Sequence, residues 1–322
     1  MQDIDKIASK FLGKDSLNNQ TVTYQAPEQI DNSLLVAIPR IYNREAHNID
    51  AKLFNGFDTW NCYELSTLNA KGRPFSGIMK IFFPADSTNI TESKSLKLYL
   101  NSFNLYRLKS ISNDDLKIEL EAIITKDLQK HIDDDRIKLK IYDANSRNLI
   151  QAPIAHNEFE NIDNLDIEVQ DAGSVILNSE SPTNSAVIPD SPQESPNQFE
   201  IINQTGTLKL HSALLRSNCR VTNQPDWGDV YIHIKASKLP SKESLLQYIV
   251  SMRKEQHFHE EICENIYNDL YKNFSPSELL VQCLYTRRGG IDINPIRYTE
   301  NMKDNKLLQY FQSEEIYKTN RQ

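Results

Sequence analysis

The sequence predicts an α+β protein with antiparallel sheets. Strand patterns come in neighbouring pairs, two amphipathic helical patterns follow each pair, and this order occurs twice along the chain. Before the first pair, Met1 to Lys14 sets Asp3, Asp5 and Lys6 against Ile4, Ile7 and Phe11, which reads as a short amphipathic helix. Phe57 to Asp86 reads as two strands around the turn Asn69-Ala70-Lys71-Gly72-Arg73-Pro74, with apolar runs such as Ile78 to Phe83 beside it. From Ser95, the positions of Leu96, Leu98, Tyr99, Leu100 and Phe103 suit a helix, and Leu116, Leu120, Ile123, Ile124 and Leu128 line one face of a second. Arg136 to Tyr142 then alternates polar and apolar as a half-exposed strand does.

The second half repeats the order. Strands are expected at Thr207 to Leu215 and Val230 to Ala236, one helix through Leu245, Leu246, Ile249 and Met252, and another through Ile262, Ile266, Leu270 and Tyr271. Strands at Leu279 to Tyr285 and Ile291 to Tyr298 close it. The expected division is a first module over residues 1–147, a linker or loop region over 148–205, and a second module over 206–322. Residues 148–208 hold ten acidic residues and no Lys or Arg, and Gly173 to Glu200 adds Pro182, Pro189, Pro192 and Pro196 among many Ser and Asn. Such a composition buries too little apolar surface to offset ordering, so a mobile acidic linker or surface loop is expected there. Val175 to Leu177 and Ala186 to Ile188 are its two candidates for short docked strands.

A chain of 322 residues has room for two cores. A net charge of −8 argues against nucleic acid or an anionic membrane as direct partner, since both call for surplus Lys and Arg. No apolar run reaches the roughly 20 residues of a membrane helix, so a cytoplasmic protein is expected. Cys62, Cys219, Cys263 and Cys283 show no paired spacing, which disfavours disulfides and structural zinc. Three of them read as small buried hydrophobes. Cys219 differs, because Ser217, Asn218, Thr222 and Asn223 surround it.

Cys219 stands seven residues before Asp226, across a turn that contains Pro225. A thiol and a carboxylate so placed suit nucleophilic attack with proton transfer, while a plain turn-forming Asp after Pro is the alternative. His257 and His259, at i and i+2, do not share a helix face, so a helical metal pair is disfavoured; a solvated helix start is the plain reading of His259 and Glu260. None of the nine glycines forms a GxGxxG turn, so a nicotinamide cofactor would be held outside a Rossmann fold. Arg287-Arg288-Gly289-Gly290 reads either as a phosphate contact or as a hairpin turn.

Four blocks taken together say more. Glu92-Ser93-Lys94-Ser95-Leu96-Lys97, Gln224-Pro225-Asp226-Trp227 after the thiol, His257-Phe258-His259-Glu260 and Arg287 to Pro295 resemble, in order, the motifs of the QueF family of NADPH-dependent nitrile reductases. These reduce 7-cyano-7-deazaguanine to 7-aminomethyl-7-deazaguanine in queuosine biosynthesis. The resemblance implies two tandem tunnelling-fold modules, a homodimer, NADPH as cofactor and no metal. It implies Cys219 as the nucleophile that forms a thioimide, Asp226 as proton donor and His259 as a proton-transfer or orienting group. Thr91, Glu92, Ser93, Phe258, His259 and Glu260 would hold the base, the carboxylates accepting its ring N–H and exocyclic amine. Ser93, Lys94, Arg288 and Gly289 would meet the cofactor, with Lys97 and Arg287 as further cations. Two positions depart from the pattern: Arg220 follows the thiol, where it is expected to influence the thiol pKa or substrate entry, and Thr67 stands where Trp is common. A zinc-dependent cyclohydrolase on the same fold and a noncatalytic purine-binding module are the rival readings, the first disfavoured by scattered Cys and His.

Overall fold

The computed structural model describes residues 29–146, 150–151, 158–168, 199–220, 224–304, 308 and 315–322. The helix expected over Met1 to Lys14, the triplets at 175–177 and 186–188, and most of the acidic segment lie outside these residues.

A short helix that no periodicity announced, α1 (Ile41–Ala46), precedes a long hairpin of β1 (Asn55–Leu68) and β2 (Pro74–Pro84). Asn69 closes the hairpin turn, its side-chain oxygen accepting from the Lys71 and Arg73 backbone N–H groups at 3.0 and 2.9 Å. β3 (Asn89–Thr91) pairs with Ala37–Pro39 and delivers the chain to α2 (Ser93–Asn101). α3 (Asn113–Ile132) follows, with Ser112 as N-cap and Leu116, Leu120, Ile124, Leu128 and Ile132 buried at a spacing of four. It ends at Asp133, whose φ of 64° breaks the helix, and β4 (Lys138–Asp143) completes the half.

The second half contains β5 (Gly206–Ser212), β6 (Arg216–Asn218), β7 (Pro225–Ala236), α4 (Lys242–Ser251), α5 (His259–Phe274), β8 (Glu278–Tyr285) and β9 (Ile291–Tyr298). The strand expected over Thr207 to Leu215 stops at Ser212. Asp163 takes hydrogen bonds from the Ser212 hydroxyl at 2.6 Å and the Ala213 N–H at 3.0 Å, and these bonds to a residue distant in sequence replace the ladder where the chain turns.

All these strands except β3 share one nine-stranded sheet in the order β4-β2-β1-β9-β8-β7-β5, with Glu160–Asn161 beyond β5 and β6 paired to β7. Neighbours from β4 to β5 run antiparallel, and the halves meet where β1 pairs β9 from Cys62–Ile291 to Asn55–Tyr298. Alternation along the strands gives two kinds of core. On one face Trp60, Met79 and Ile81 pack with Leu96, Tyr99 and Leu120, and Ile232, Ile234 and Val281 pack with Leu245, Ile249 and Ile266. On the other face Phe57, Tyr231, Leu280 and Ile296 meet Phe159 and Met302. Phe159, Ile162 and Phe199 are buried, so the described ends of the acidic segment are anchored on the packed structure. Apolar side chains set in a polar sequence are the physical reason.

A buried ionic cluster spans the seam. Arg297 of β9, fully buried, donates to Asp58 of β1 at 2.7 Å and to Glu264 of α5 at 2.8 Å. Arg40 adds a bond to Asp58 at 2.6 Å, and Arg44 one to Glu264 at 2.9 Å. Burial alone would raise the Glu264 pKa, but the arginines prevail and hold it at about 2.

Candidate active site

At this seam, residues of both halves line one cavity of about 260 Å³. The β6–β7 hairpin supplies the thiol and its neighbour carboxylate. Ser217 pairs with Asp226 across the ladder, and the Cys219 N–H donates to the Gln224 carbonyl at 2.8 Å, so both Cys219 and Asp226 stand near the loop end of the hairpin, where they line the cavity. Cys219 is half-buried, whereas Cys62, Cys263 and Cys283 are buried in the cores. Burial pushes the thiols of Cys62 and Cys283 up.

Asp226 is only 3 % exposed and is gripped from two sides. Arg288 donates to one of its oxygens, and Nε2 of His259 lies 3.4 Å from the other. Burial would raise this carboxyl, but His259 and Arg288 outweigh it and hold its pKa below the usual range. Arg288 also donates to the Gln224 side chain at 2.6 Å, and although burial opposes its charge, Asp226 and Cys219 raise its pKa. The unliganded site accordingly holds an ionised Asp226, not a protonated one.

His259 opens α5, and its ring is stacked on Tyr285, centroids 3.8 Å apart and planes 5° from parallel. The next residue, Glu260, is buried and accepts from the Trp60 indole N–H at 3.1 Å. Burial first, then the nearby Asp58 charge, push its pKa to about 8 against the pull of Arg40 and Arg297. Phe258 lines the cavity just before them, as the N-cap residue of α5.

The first half supplies Thr91, Glu92, Ser93 and Lys94, where β3 runs into α2. Glu92 is the N-cap: one oxygen accepts from the Lys94 N–H at 3.1 Å and the other from the Ser95 N–H at 2.7 Å. A carboxylate has further lone pairs, so the cap fixes its orientation and leaves acceptor capacity for a ligand. The Thr91 hydroxyl is buried and has no hydrogen-bond partner among the described residues.

Arg288 and Gly289 occupy the β8–β9 turn and line the cavity together with Lys97. The turn needs its glycines. Gly289 and Gly290 have φ of 57° and 78°, and a Cβ on Gly290 would lie 2.4 Å from Glu64. Arg287, expected as a further phosphate contact, does not line the cavity; its guanidinium lies 3.7 Å over the ring of Tyr63. Tyr63 sits in a β-bulge of β1, between Cys62 and Leu65, and its N–H donates to Gly290 O at 2.8 Å. Arg220 donates to both oxygens of Glu261 at 3.0 and 3.1 Å. Glu261 also faces His257 at 3.4 Å; burial opposes the charge of His257, but Glu255 and Glu261 lift its pKa to about 9. Thr67 is buried near the far end of β1, bonded to the Tyr106 carbonyl at 3.0 Å, outside the cavity lining.

Apart from Arg287, the cavity brings together the residues given a site role from the sequence, and it adds Trp60, Gln224 and an apolar wall of Ile90, Ile291 and Ile293. Alternation in Ile291-Asp292-Ile293-Asn294 was the available signal for two of the wall residues. Among the described residues, no three His, Cys, Asp or Glu side chains converge as a metal site requires.

Comparison with known proteins matches residues 26–141 to the family described as nitrile reductase, 7-cyano-7-deazaguanine-reductase N-term, and residues 225–304 to the family described as QueF-like protein. A Rickettsia akari protein named NADPH-dependent 7-cyano-7-deazaguanine reductase is 38% identical over 287 residues, covering 88% of this chain and 93% of its own. A Hahella chejuensis protein of the same name is 40% identical over 272 residues, covering 84% and 89%. Among solved structures, the apo archaeosine synthase QueF-Like aligns with 31% of this chain and 92% of its own, at 15% identity and a TM-score of 0.26.

Proposed function

This chain belongs to the family of NADPH-dependent 7-cyano-7-deazaguanine reductases, and we propose that it reduces the nitrile of that base to the primary amine of 7-aminomethyl-7-deazaguanine, a step of queuosine biosynthesis. The observation that carries this reading is a single cavity holding a thiol, a carboxylate–imidazole pair, two further carboxylates and several cations. In its favour as a binding site, Glu260 and Glu92 offer acceptors for the ring N–H and exocyclic amine, and the isoleucine wall covers the apolar faces of a planar base. Lys94, Lys97 and Arg288 suit the phosphates of NADPH, and Gly289 adds no side chain in their way. When bound, NADPH supplies the two hydrides that a nitrile needs to become an amine.

Cys219 attacks the nitrile carbon, forming the C–S bond of a thioimide. Asp226, ionised between Arg288 and His259, accepts the thiol proton, and the Asp226–His259 pair returns it to the nitrogen. Asp226 thus becomes the donor expected from the sequence only after acting as base. NADPH held at Lys94, Lys97 and Arg288 would supply one hydride before and one after Cys219 departs; the Asp226–His259 pair supplies the proton that accompanies each, and between them Asp226 carries a nitrogen proton back to the leaving thiolate, which leaves an imine. We read the halves over residues 1–147 and 206–322 as two tunnelling-fold modules of a cytoplasmic homodimer, joined by the region 148–205. Light scattering tests the assembly.

The reaction itself is tested with the purified protein, 7-cyano-7-deazaguanine and NADPH, by loss of nicotinamide absorbance at two NADPH per base. Without NADPH, mass spectrometry should find an adduct on the peptide carrying Cys219, absent in Cys219→Ala. An adduct on Cys263 or Cys283, or no NADPH consumption by the wild type, refutes the reading.

A further inference from the structure

Near His259, three buried polar atoms have no hydrogen-bond partner among the described residues: Nδ1 of His259, the Ser217 hydroxyl and the Tyr285 hydroxyl. Tyr285 links the other two side chains. Tyr285 and Ser217 are both fully buried, and Tyr285 carries the ring stacked on His259. Ser217 sits opposite Asp226 in the β6–β7 ladder, and it stands at the Tyr285 hydroxyl without closing a bond of normal length. Buried polar groups are nearly always satisfied, by protein or by ordered water, and three on neighbouring side chains offer the number of partners a single water needs.

We propose that Ser217, Tyr285 and His259 Nδ1 share one bound water, and that through it Ser217 and Tyr285 are positioning residues that hold His259 as the tautomer protonated on Nε2. The geometry on the other side of the ring asks for this tautomer. Nε2 faces an ionised carboxylate, so a proton on Nδ1 would set a bare nitrogen lone pair against Asp226. A water that receives hydrogen bonds from Ser217 or Tyr285 can in turn donate to Nδ1, which fixes Nδ1 as acceptor and Nε2–H as donor. This inference rests on the proposed role of the Asp226–His259 pair. Besides relaying the thiol proton, the pair supplies the two protons that accompany the hydrides, so it acts repeatedly in each turnover and must return to the same tautomer each time.

The ring nitrogen signals of His259, read by NMR of the whole 15N-histidine-labelled protein, test it directly. Wild type should show Nε2 protonated and Nδ1 accepting a hydrogen bond. Tyr285→Phe, which keeps the stacked ring, and Ser217→Ala should each shift the signals toward a tautomer mixture. Each should also lower kcat for NADPH oxidation about 5-fold, the scale of one neutral hydrogen bond. The KM for the base and the rate of Cys219 adduct formation should stay within about 2-fold of wild type, since neither hydroxyl lines the cavity. Because both act through one water, the double variant should lose far less than the product of the single losses, and Ser217→Thr should restore the wild-type signals. A wild-type His259 protonated on Nδ1, or signals unmoved in both variants, would overturn the proposal. So would adduct formation and turnover falling together, which means lost packing. The NMR result needs no turnover, so it stands apart from the nitrile-reductase reading itself.

Discussion

Glu260 gives the sharpest test of how this cavity binds its base. With a pKa of about 8, the carboxyl is mostly protonated at pH 6, where about one molecule in a hundred carries the carboxylate that accepts both donors of the base. If the ionised form is the one that binds, affinity for 7-cyano-7-deazaguanine should rise about 50-fold between pH 6 and pH 8 and level off above pH 9, a gain on the order of 2.5 kcal/mol. The groups that set this value are Asp58, which raises it, and Arg40 and Arg297, which lower it, while Trp60 bonds the same carboxyl. Fold stability should move the other way. A carboxyl whose pKa is raised on folding contributes stability that is complete below its ordinary value of 4.5 and is lost as pH climbs through about 8. His257, raised to about 9 from 6.5, adds a loss of the same sign over its own window. Calorimetric titration on a Cys219→Ala background measures the affinity without covalent trapping, and buffers of different ionisation enthalpy count the proton released on binding. Glu260→Gln should bind weakly with no pH dependence over this range. Affinity independent of pH in the Glu260 protein, or an identical slope in Glu260→Gln, refutes the assignment.

Arg288→Ala should raise the KM for NADPH and, by removing a cation from Asp226, raise the carboxyl pKa, so that the acidic limb of the kcat/KM profile moves toward neutral pH; a limb that stays in place would uncouple Arg288 from Asp226. Arg297→Met leaves Asp58 and Glu264 buried with one cation fewer, and urea unfolding should show a loss of about 3–5 kcal/mol, against less than about 1 kcal/mol if the cluster is already solvated. Glu92→Ala should cost about 1 kcal/mol of stability as a lost N-cap, together with base affinity. Combined with Glu260→Gln in titrations, it should lose less than the sum of the single effects if both carboxylates grip one ring, and strict additivity would assign them to separate ligands.

Much of the strand and helix order was legible because the longer elements obey one period, as the four-residue spacing from Leu116 to Ile132 shows, whereas the short α1 carried no such signal. The cavity was legible through its motifs, since Cys219, Asp226, Glu92 and His259 stand in polar contexts that a packed core does not need. What depended on pairing was not. Trp60 meets Glu260 only because β1 pairs β9 beneath α5, a long-range register invisible in either segment. Arg287 and Arg288 are neighbours of one type, and the glycine turn with the Tyr63 bulge decides which faces the cavity. The pairing of Arg220 with Glu261, 41 positions away, forms only in the folded chain and was equally out of view. Phe159 and Phe199 were hidden by polar neighbours, where composition averages over the few residues that anchor.

The pairing of β1 with β9 also has a genetic meaning. Glu92 and Lys94 come from one half and Cys219, Asp226 and Glu260 from the other, yet all belong to a single polypeptide and line one cavity within it. Two inactive alleles, one lacking the thiol and one lacking the Glu92 carboxylate, should not rescue each other in the same cell, because no mixed assembly would contain an intact set. An enzyme that divides such a cavity between copies would show rescue, since some mixed assemblies restore a complete site. Joining the halves in one reading frame makes their site residues a single inherited unit, and it frees each half to dispense with the groups the other supplies.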